Sequence, residues 1–149
     1  MRAVVQRVTS SSVSVDGKII GEIGLGFNVL IGISKGDNLE DLKYIKDKVI
    51  NLRVFQDEND KMNLSLLDVK GEILVISQFT LYGDCRKGRR PNFMEAQGGD
   101  EALKLYEEFL ELLKTSDLKV ESGEFGADMK VQINNDGPVT ILLDSKRNF

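Results

Sequence analysis

In the segment Glu72 to Asp84 the run Ile73-Leu74-Val75-Ile76 passes straight into Ser77, Gln78 and Thr80 and then breaks at Gly83. A strand with no polar alternation has a hydrophobic surface on both sides of its sheet, so both faces must be covered. Such a chain has to build layers around one core. The hydroxyl, amide and second hydroxyl at the end of the run need partners or a ligand, and rigid strand ends are where scaffolds present chemistry.

The rest of the chain supplies the layers. Ala3 to Val8 and Ser11 to Val15 read as strands, Asp16-Gly17 as a hairpin turn into Ile19 and Ile20, and Phe27 to Ile33 as a second central strand. Leu39, Leu42, Ile45, Val49 and Leu52 then recur with helical spacing, with Asp37 as N-cap and Glu40 completing a capping box. Arg53 to Gln56 reads as a short strand before the polar turn Asp57 to Lys61, while Leu64, Leu66 and Leu67 suit helix or loop equally. Gly83 to Gly99 is a long loop, and Asp100 caps a helix whose apolar face is Leu103, Tyr106, Leu110 and Leu113, widened by Ala102 and Phe109. Val120 and Met129 to Ile133 restore strand alternation, and Val139 to Leu143 closes the sheet. Asn135-Asp136-Gly137-Pro138-Val139-Thr140, between the last two strands, has turn composition and reads on spacing alone as a hairpin.

These elements predict a single α/β domain over residues 1–149, a β/β/α sandwich. Its two β layers are of mixed, mostly antiparallel strands, with two main helices packed on one side and a frayed tail over 143–149. Regular βαβ alternation is missing. Gly24-Leu25-Gly26 precedes a strand instead of following one, so it is no dinucleotide loop, and Gly83 to Gly88 has Arg89 and Arg90 where a phosphate loop needs Lys and Ser or Thr. The longest strongly apolar run, Phe27 to Ile33, is too short to span a bilayer and is interrupted by Asn28 and Gly32, and no signal-peptide pattern opens the chain. A cytoplasmic protein with no membrane partner is expected.

The most restrictive count is zero histidines, beside one cysteine, Cys85. Ser-His-Asp and Cys-His catalysis, imidazole metal sites and the usual neutral-pH general base are all excluded. Neither a metal nor a cofactor is expected; Asp84, Asp128 and Asp136 are scattered among turns, where structural roles are the commoner use of aspartate. Four cations, Arg86, Lys87, Arg89 and Arg90, fall within five positions and suit either a solvated loop or a grip on a phosphate backbone. A net charge of −4 argues against broad nucleic-acid binding but leaves a local patch open. Ser77 and Thr80 can simply bond neighbouring strands. Alternatively, strand-end N–H groups with Gln78 can stabilise an oxyanion, with Thr80 as nucleophile or positioning group.

Ser77-Gln78-Phe79-Thr80 together with Asn135 to Thr140 resembles the paired signature motifs of the D-aminoacyl-tRNA deacylases (D-Tyr-tRNA(Tyr) deacylase family). The likeness extends through Ala3 to Thr9, Gly21 to Gly24, Lys61 to Leu64, Gly88 to Phe93 and Phe125 to Met129. It implies hydrolysis of the ester joining a D-amino acid to tRNA, or glycine mischarged on alanine tRNA, a proofreading reaction that spares L-aminoacyl-tRNA. It also implies a homodimer in which the Gly137-Pro138 turn, with a cis bond, reaches into the partner's site. On this resemblance Ser77, Gln78, Phe79 and Thr80 are catalytic. Asn135, Gly137, Pro138, Val139 and Thr140 serve substrate binding and chiral selection, Arg7 braces the turn, and Phe125 and Met129 line or support the pocket. Charge alone suggests tRNA phosphate contacts for Arg86, Lys87, Arg89 and Arg90. Two other readings remain open: a non-catalytic tRNA-binding module, and a small-molecule esterase dependent on Thr80.

Overall fold

The computed structural model describes residues 1–149. Its axis is β1 (Arg2–Val15), continuous through Thr9 and Ser10 where two strands were expected. Along one edge β1 pairs antiparallel first with β3 (Gly26–Gly32) and then, from Ser11 onward, with β2 (Lys18–Ile23). Along its other edge it pairs with β8 (Lys130–Asp144). Outward from β3 come β6 (Glu72–Ser77) and β7 (Val120–Ser122), both parallel additions. The two helices are α1 (Leu39–Asn51) and α2 (Gly99–Lys114), and β4 (Phe55–Gln56) with β5 (Met62–Leu64) forms a small second sheet.

The mixed sheet curls nearly into a barrel. Gly21 of β2 comes so close to β6 and β7 that a Cβ there would lie 3.0 Å from the Ser122 carbonyl oxygen and 3.2 Å from Leu74 Cδ1. The central apolar run is divided accordingly. Leu74 and Ile76 join Val8, Val13 and Ile23 between the facing β layers, while Ile73 and Val75 join Phe27, Val29, Leu42, Ile45, Phe109 and Leu113 beneath the helices. Both faces of β6 are covered, so the single α/β domain expected from its composition is the one observed.

Local chemistry moves several details. The N-cap of α1 is Asn38, one place beyond the expected Asp37: its side chain accepts from the Glu40 N–H at 2.9 Å, and Asp41 accepts from the Asn38 N–H at 3.0 Å. Asp37 is instead buried, taking the Met1 ammonium at 2.7 Å and the Ser34 N–H at 2.7 Å. Gly98 is the N-cap of α2, and Asp100, expected to cap, lies inside the first turn, where its charge favours the helix end without a capping bond. Leu64 belongs to β5, and Leu66 is buried beneath a turn in which Asp68 accepts from the Ser65 N–H and hydroxyl. The tail does not fray as its polarity suggested: the Ser145 N–H bonds the Met1 carbonyl at 2.8 Å and Lys146 meets Asp41 at 2.7 Å.

Burial pushes the Asp41 carboxyl up, but hydrogen bonds from Lys146, Ser145 and the Asn38 N–H outweigh it and hold the group below its ordinary range. Asp57 is lowered by the Lys61 and Asn59 N–H groups, and Asp68 by Ser65. A depressed folded-state pKa gives stability that is complete above the unfolded value of about 3.9 and is lost as pH falls through the folded one. With no histidine to titrate, the urea midpoint is expected to stay level from pH 8 to about 4 and to fall below that. A decline starting near pH 6 would contradict this assignment.

Candidate active site

The Gln78 N–H donates to the Ile31 carbonyl at 2.7 Å as the last bond of the β3–β6 ladder, and strand β6 ends there because residues Phe79–Tyr82 wind into a single 3-10 turn. The Phe79 and Thr80 N–H groups stand at the start of that turn, where no preceding carbonyl lies within the helix to receive them. Gly32 lets the turn sit close on β3: a Cβ there would lie 3.1 Å from the Gln78 carbonyl oxygen and 3.1 Å from Leu81 Cβ. The Gln78 amide donates to the Thr80 hydroxyl, and Thr80 is exposed.

This turn borders a cavity of about 550 Å³ lined by 14 residues, among them Ser77, Gln78, Phe79, Phe125 and Met129. None of the 14 carries a titratable side chain. Phe125 is backed by Tyr106 of α2, ring centroids 5.6 Å apart, and the Tyr106 hydroxyl donates to the Val75 carbonyl at 2.9 Å. Burial raises the Tyr106 pKa, so the phenol stays neutral and a donor.

Sequence reasoning missed Phe93, Ala96 and Gln97 in the cavity wall. Phe93 was the one aromatic residue in the long polar loop, and that isolation was its available signal. It meets Phe79 edge to face at 5.1 Å. Gln97 is held at the wall by its N–H, which donates to the Ile33 carbonyl at 2.9 Å, a placement that no residue pattern announces.

The second motif is not a hairpin. Gln6 pairs with Thr140 and Val8 with Asn135, so residues 136–139 form a bulge opposite Arg7 while β8 continues in the same direction on both sides. The Asn135 side chain closes the neck, donating to the Arg7 carbonyl and to the Val139 carbonyl, each at 2.9 Å, and Thr140 donates back to Asn135 at 3.3 Å. Arg7, 5 % exposed, braces the bulge from beneath: it donates to the Asp136 carbonyl at 3.3 Å, pairs with the Asp136 carboxylate at 3.2 Å and donates to the Val54 carbonyl at 2.6 Å. Gly137 has φ +119° and, with Pro138, is exposed; the bond between them is cis, and Val139 is buried.

Two clusters therefore exist in one chain. Arg7, Asn135, Gly137, Pro138, Val139 and Thr140 stand together, and none of them lines the cavity that holds Ser77 to Phe79. Asp84, Asp128 and Asp136 do not converge: Asp84 is clamped by Arg86 at 2.8 Å, which holds its carboxyl well below the usual range, and Asp136 is held by Arg7. The basic loop is a hairpin closed by Asp84 and Asn92, whose N–H and carbonyl groups exchange bonds of 2.8 and 3.1 Å. Arg86 is committed to Asp84, whereas Lys87, Arg89 and Arg90 are exposed and in no ion pair.

Residues 4–144 match the family model described as D-Tyr-tRNA(Tyr) deacylase. The chain belongs to the D-Tyr-tRNA(Tyr) deacylase family. A D-aminoacyl-tRNA deacylase of Clostridium beijerinckii is 89% identical over 149 residues, with both chains covered in full, and one of Clostridium perfringens is 69% identical over the same span. Among solved structures, one titled c-Myc DNA Unwinding Element Binding Protein superposes with a TM-score of 0.91 at 47% identity, covering 97% of this chain and 98% of its own. Another, of a probable eukaryotic D-amino acid tRNA deacylase, shares the fold with a TM-score of 0.80 at 20% identity, covering 95% and 97%. As a deacylase of this family the protein is a hydrolase whose substrate is D-aminoacyl-tRNA.

Proposed function

We propose that the protein hydrolyses the ester of D-aminoacyl-tRNA, and of glycine mischarged on alanine tRNA, by a mechanism in which RNA supplies the proton-transfer group that the protein lacks. The observation that carries this reading is a cavity beside an N–H-bearing turn with no titratable side chain in its wall. Water adds to the ester carbonyl carbon, and the Phe79 and Thr80 N–H groups hold the oxyanion. The carbon–oxygen bond to the ribose then breaks, the 2′-hydroxyl relaying the proton given up by the attacking water to the departing 3′-oxygen. Thr80 positions Gln78, and no hydrogen-bonded base is present to make it a nucleophile.

Chirality is read by the 135–140 bulge. Gly137 lacks a Cβ, so backbone carbonyls there can come close to the substrate amino group and leave no room for an L side chain. Glycine, with no side chain, passes the same barrier. Because the exposed bulge does not line its own chain's cavity, it acts in a homodimer on the partner's site; the edge of β8 away from β1 pairs with nothing and Leu142 on it is 57% exposed. Lys87, Arg89 and Arg90 meet tRNA phosphates, with Arg86 shaping the hairpin through Asp84. No helix is long and apolar enough to cross a membrane, and a role in tRNA proofreading supports a cytoplasmic location.

Thr80→Ala is expected to keep deacylation of D-Tyr-tRNA within about tenfold, whereas a substrate with a 2′-deoxy terminal ribose should react roughly a hundredfold more slowly. Single-turnover rates on both decide it. Complete loss in Thr80→Ala with the deoxy substrate unaffected would instead identify a Thr80-dependent esterase.

A further inference from the structure

The 3-10 turn that carries Phe79 and Thr80 is pinned at its start by the bond from Gln78 to Ile31, but its far end has an unusual anchor. The Gly83 N–H closes on the Thr80 carbonyl at 2.9 Å. The next N–H, from Asp84, is taken by Asn92 across the basic hairpin at 2.8 Å, so the helix stops and the Leu81 carbonyl has no backbone donor from the following turn. Arg2 fills the gap. Its Nη1 donates to the Leu81 oxygen at 3.0 Å, its Nε donates to Asp144 at 3.2 Å, and its guanidinium lies 4.5 Å from the Tyr82 ring centroid and 5.6 Å from that of Phe149. A planar cation packed near two aromatic rings and held by a buried carboxylate is a rigid donor. Asp144 is itself fixed from two further sides, accepting from the Lys146 N–H at 2.7 Å and from Asn148 at 3.3 Å.

We propose that Arg2 is a positioning residue for the deacylation turn, holding its C-terminal end so that the Phe79 and Thr80 N–H groups keep one orientation towards the scissile carbonyl. The inference rests on the proposed oxyanion role of those N–H groups. Arg2 touches neither the cavity nor the 135–140 bulge, and it acts only through Leu81 and Tyr82. Through Asp144 and Phe149, both chain ends become part of the frame of the active site.

The test compares Arg2→Gln, Arg2→Lys and, as a control, Lys146→Ala in the full chain. Lys146→Ala breaks the 2.7 Å pair with Asp41 in the same terminal cluster without touching the turn. Hydrogen exchange comes first, because it reads the turn whether or not the enzyme turns over: Arg2→Gln should speed exchange at Tyr82 and Gly83, and Lys146→Ala should not. Steady-state kinetics on D-Tyr-tRNA should then show kcat reduced roughly ten- to a hundredfold in Arg2→Gln with KM little changed, partial recovery in Arg2→Lys, and normal kcat in the control. Unchanged exchange at Tyr82 and Gly83, or faster exchange with normal kcat, would overturn the proposal. So would a loss of kcat in Lys146→Ala matching that in Arg2→Gln, since the effect would then be general loosening. A wild-type chain inert on the D ester would refute the proposed function itself, while the exchange data would still decide whether Arg2 orders the turn.

Discussion

Arg7→Ala is expected to cost about 3 kcal/mol of stability, roughly 10 °C in melting temperature, and to lower deacylation of D-aminoacyl-tRNA about a hundredfold. Arg7 is a buried cation satisfied at three points, so its removal strands the Val54 carbonyl in the core and frees the Asp136 carbonyl and carboxylate together. The carboxylate, 44% exposed, can be hydrated, and the Val54 carbonyl is the larger loss. The catalytic effect follows from geometry: the four-residue bulge is held by Arg7 below, Asn135 at the neck and the buried Val139 side chain, and Arg7 is the contact that fixes Asp136. Arg7→Lys should recover little, since one ammonium cannot reproduce the forked contacts. Thermal melting and single-turnover rates measure the two effects. Normal activity in a destabilised Arg7→Ala would remove the bulge from the reaction.

Gly26→Ala should be still more damaging to the fold. Gly26 pairs with Val8 on one side and Glu72 on the other, at the point where β1, β3 and β6 come together. A Cβ there would lie 1.9 Å from the Glu72 carbonyl oxygen and 2.6 Å from its nitrogen, both backbone atoms that cannot rotate away. Relief requires β3 and β6 to part, breaking the parallel register that places Ser77 beside Ile31. A loss of 3 kcal/mol or more, about the upper end for an overpacked core, is the expected result in chemical denaturation, with much of the protein insoluble on expression. Gly17→Ala, in an open hairpin turn with nothing within 4 Å but with φ +78°, is the control for backbone strain without a clash and should cost only the left-handed conformation, about 1 kcal/mol.

Much of this architecture was legible because burial writes itself into pattern. The run Ile73 to Ile76 announced a strand covered on both faces, and helical spacing marked α1 and α2 to within a residue or two. Errors arose where one residue type serves two purposes. Asp37 and Asn38 can both cap a helix, and the choice was made by the Met1 ammonium, a tertiary contact that claims Asp37 for the core. Asn135 to Pro138 has hairpin composition, but β1 is long enough to pair with the chain on both sides of those residues, so the turn residues make a bulge.

The site was legible in a similar division. The end of β6 could be read as polar atoms without partners, which is a local property of the sequence. Its relation to Phe93 and Gln97 depends on the long loop being tied back to β3 and its edge, where Lys35 bonds Glu95 at 3.0 Å and Gln97 bonds Ile33 at 2.9 Å. The role of Arg2 was invisible for the same reason: its partners, Leu81 and Asp144, lie 79 and 142 positions away.

The most direct measurement is hydrolysis of D-Tyr-tRNA beside L-Tyr-tRNA by the purified protein in the presence of a chelator. A site with backbone donors and no titratable wall, together with the chiral selection proposed for the 135–140 bulge, predicts rapid loss of the D ester and survival of the L ester. Equal loss of both would contradict chiral selection and point to a general esterase, and loss of neither would leave a protein that binds charged tRNA without cleaving it.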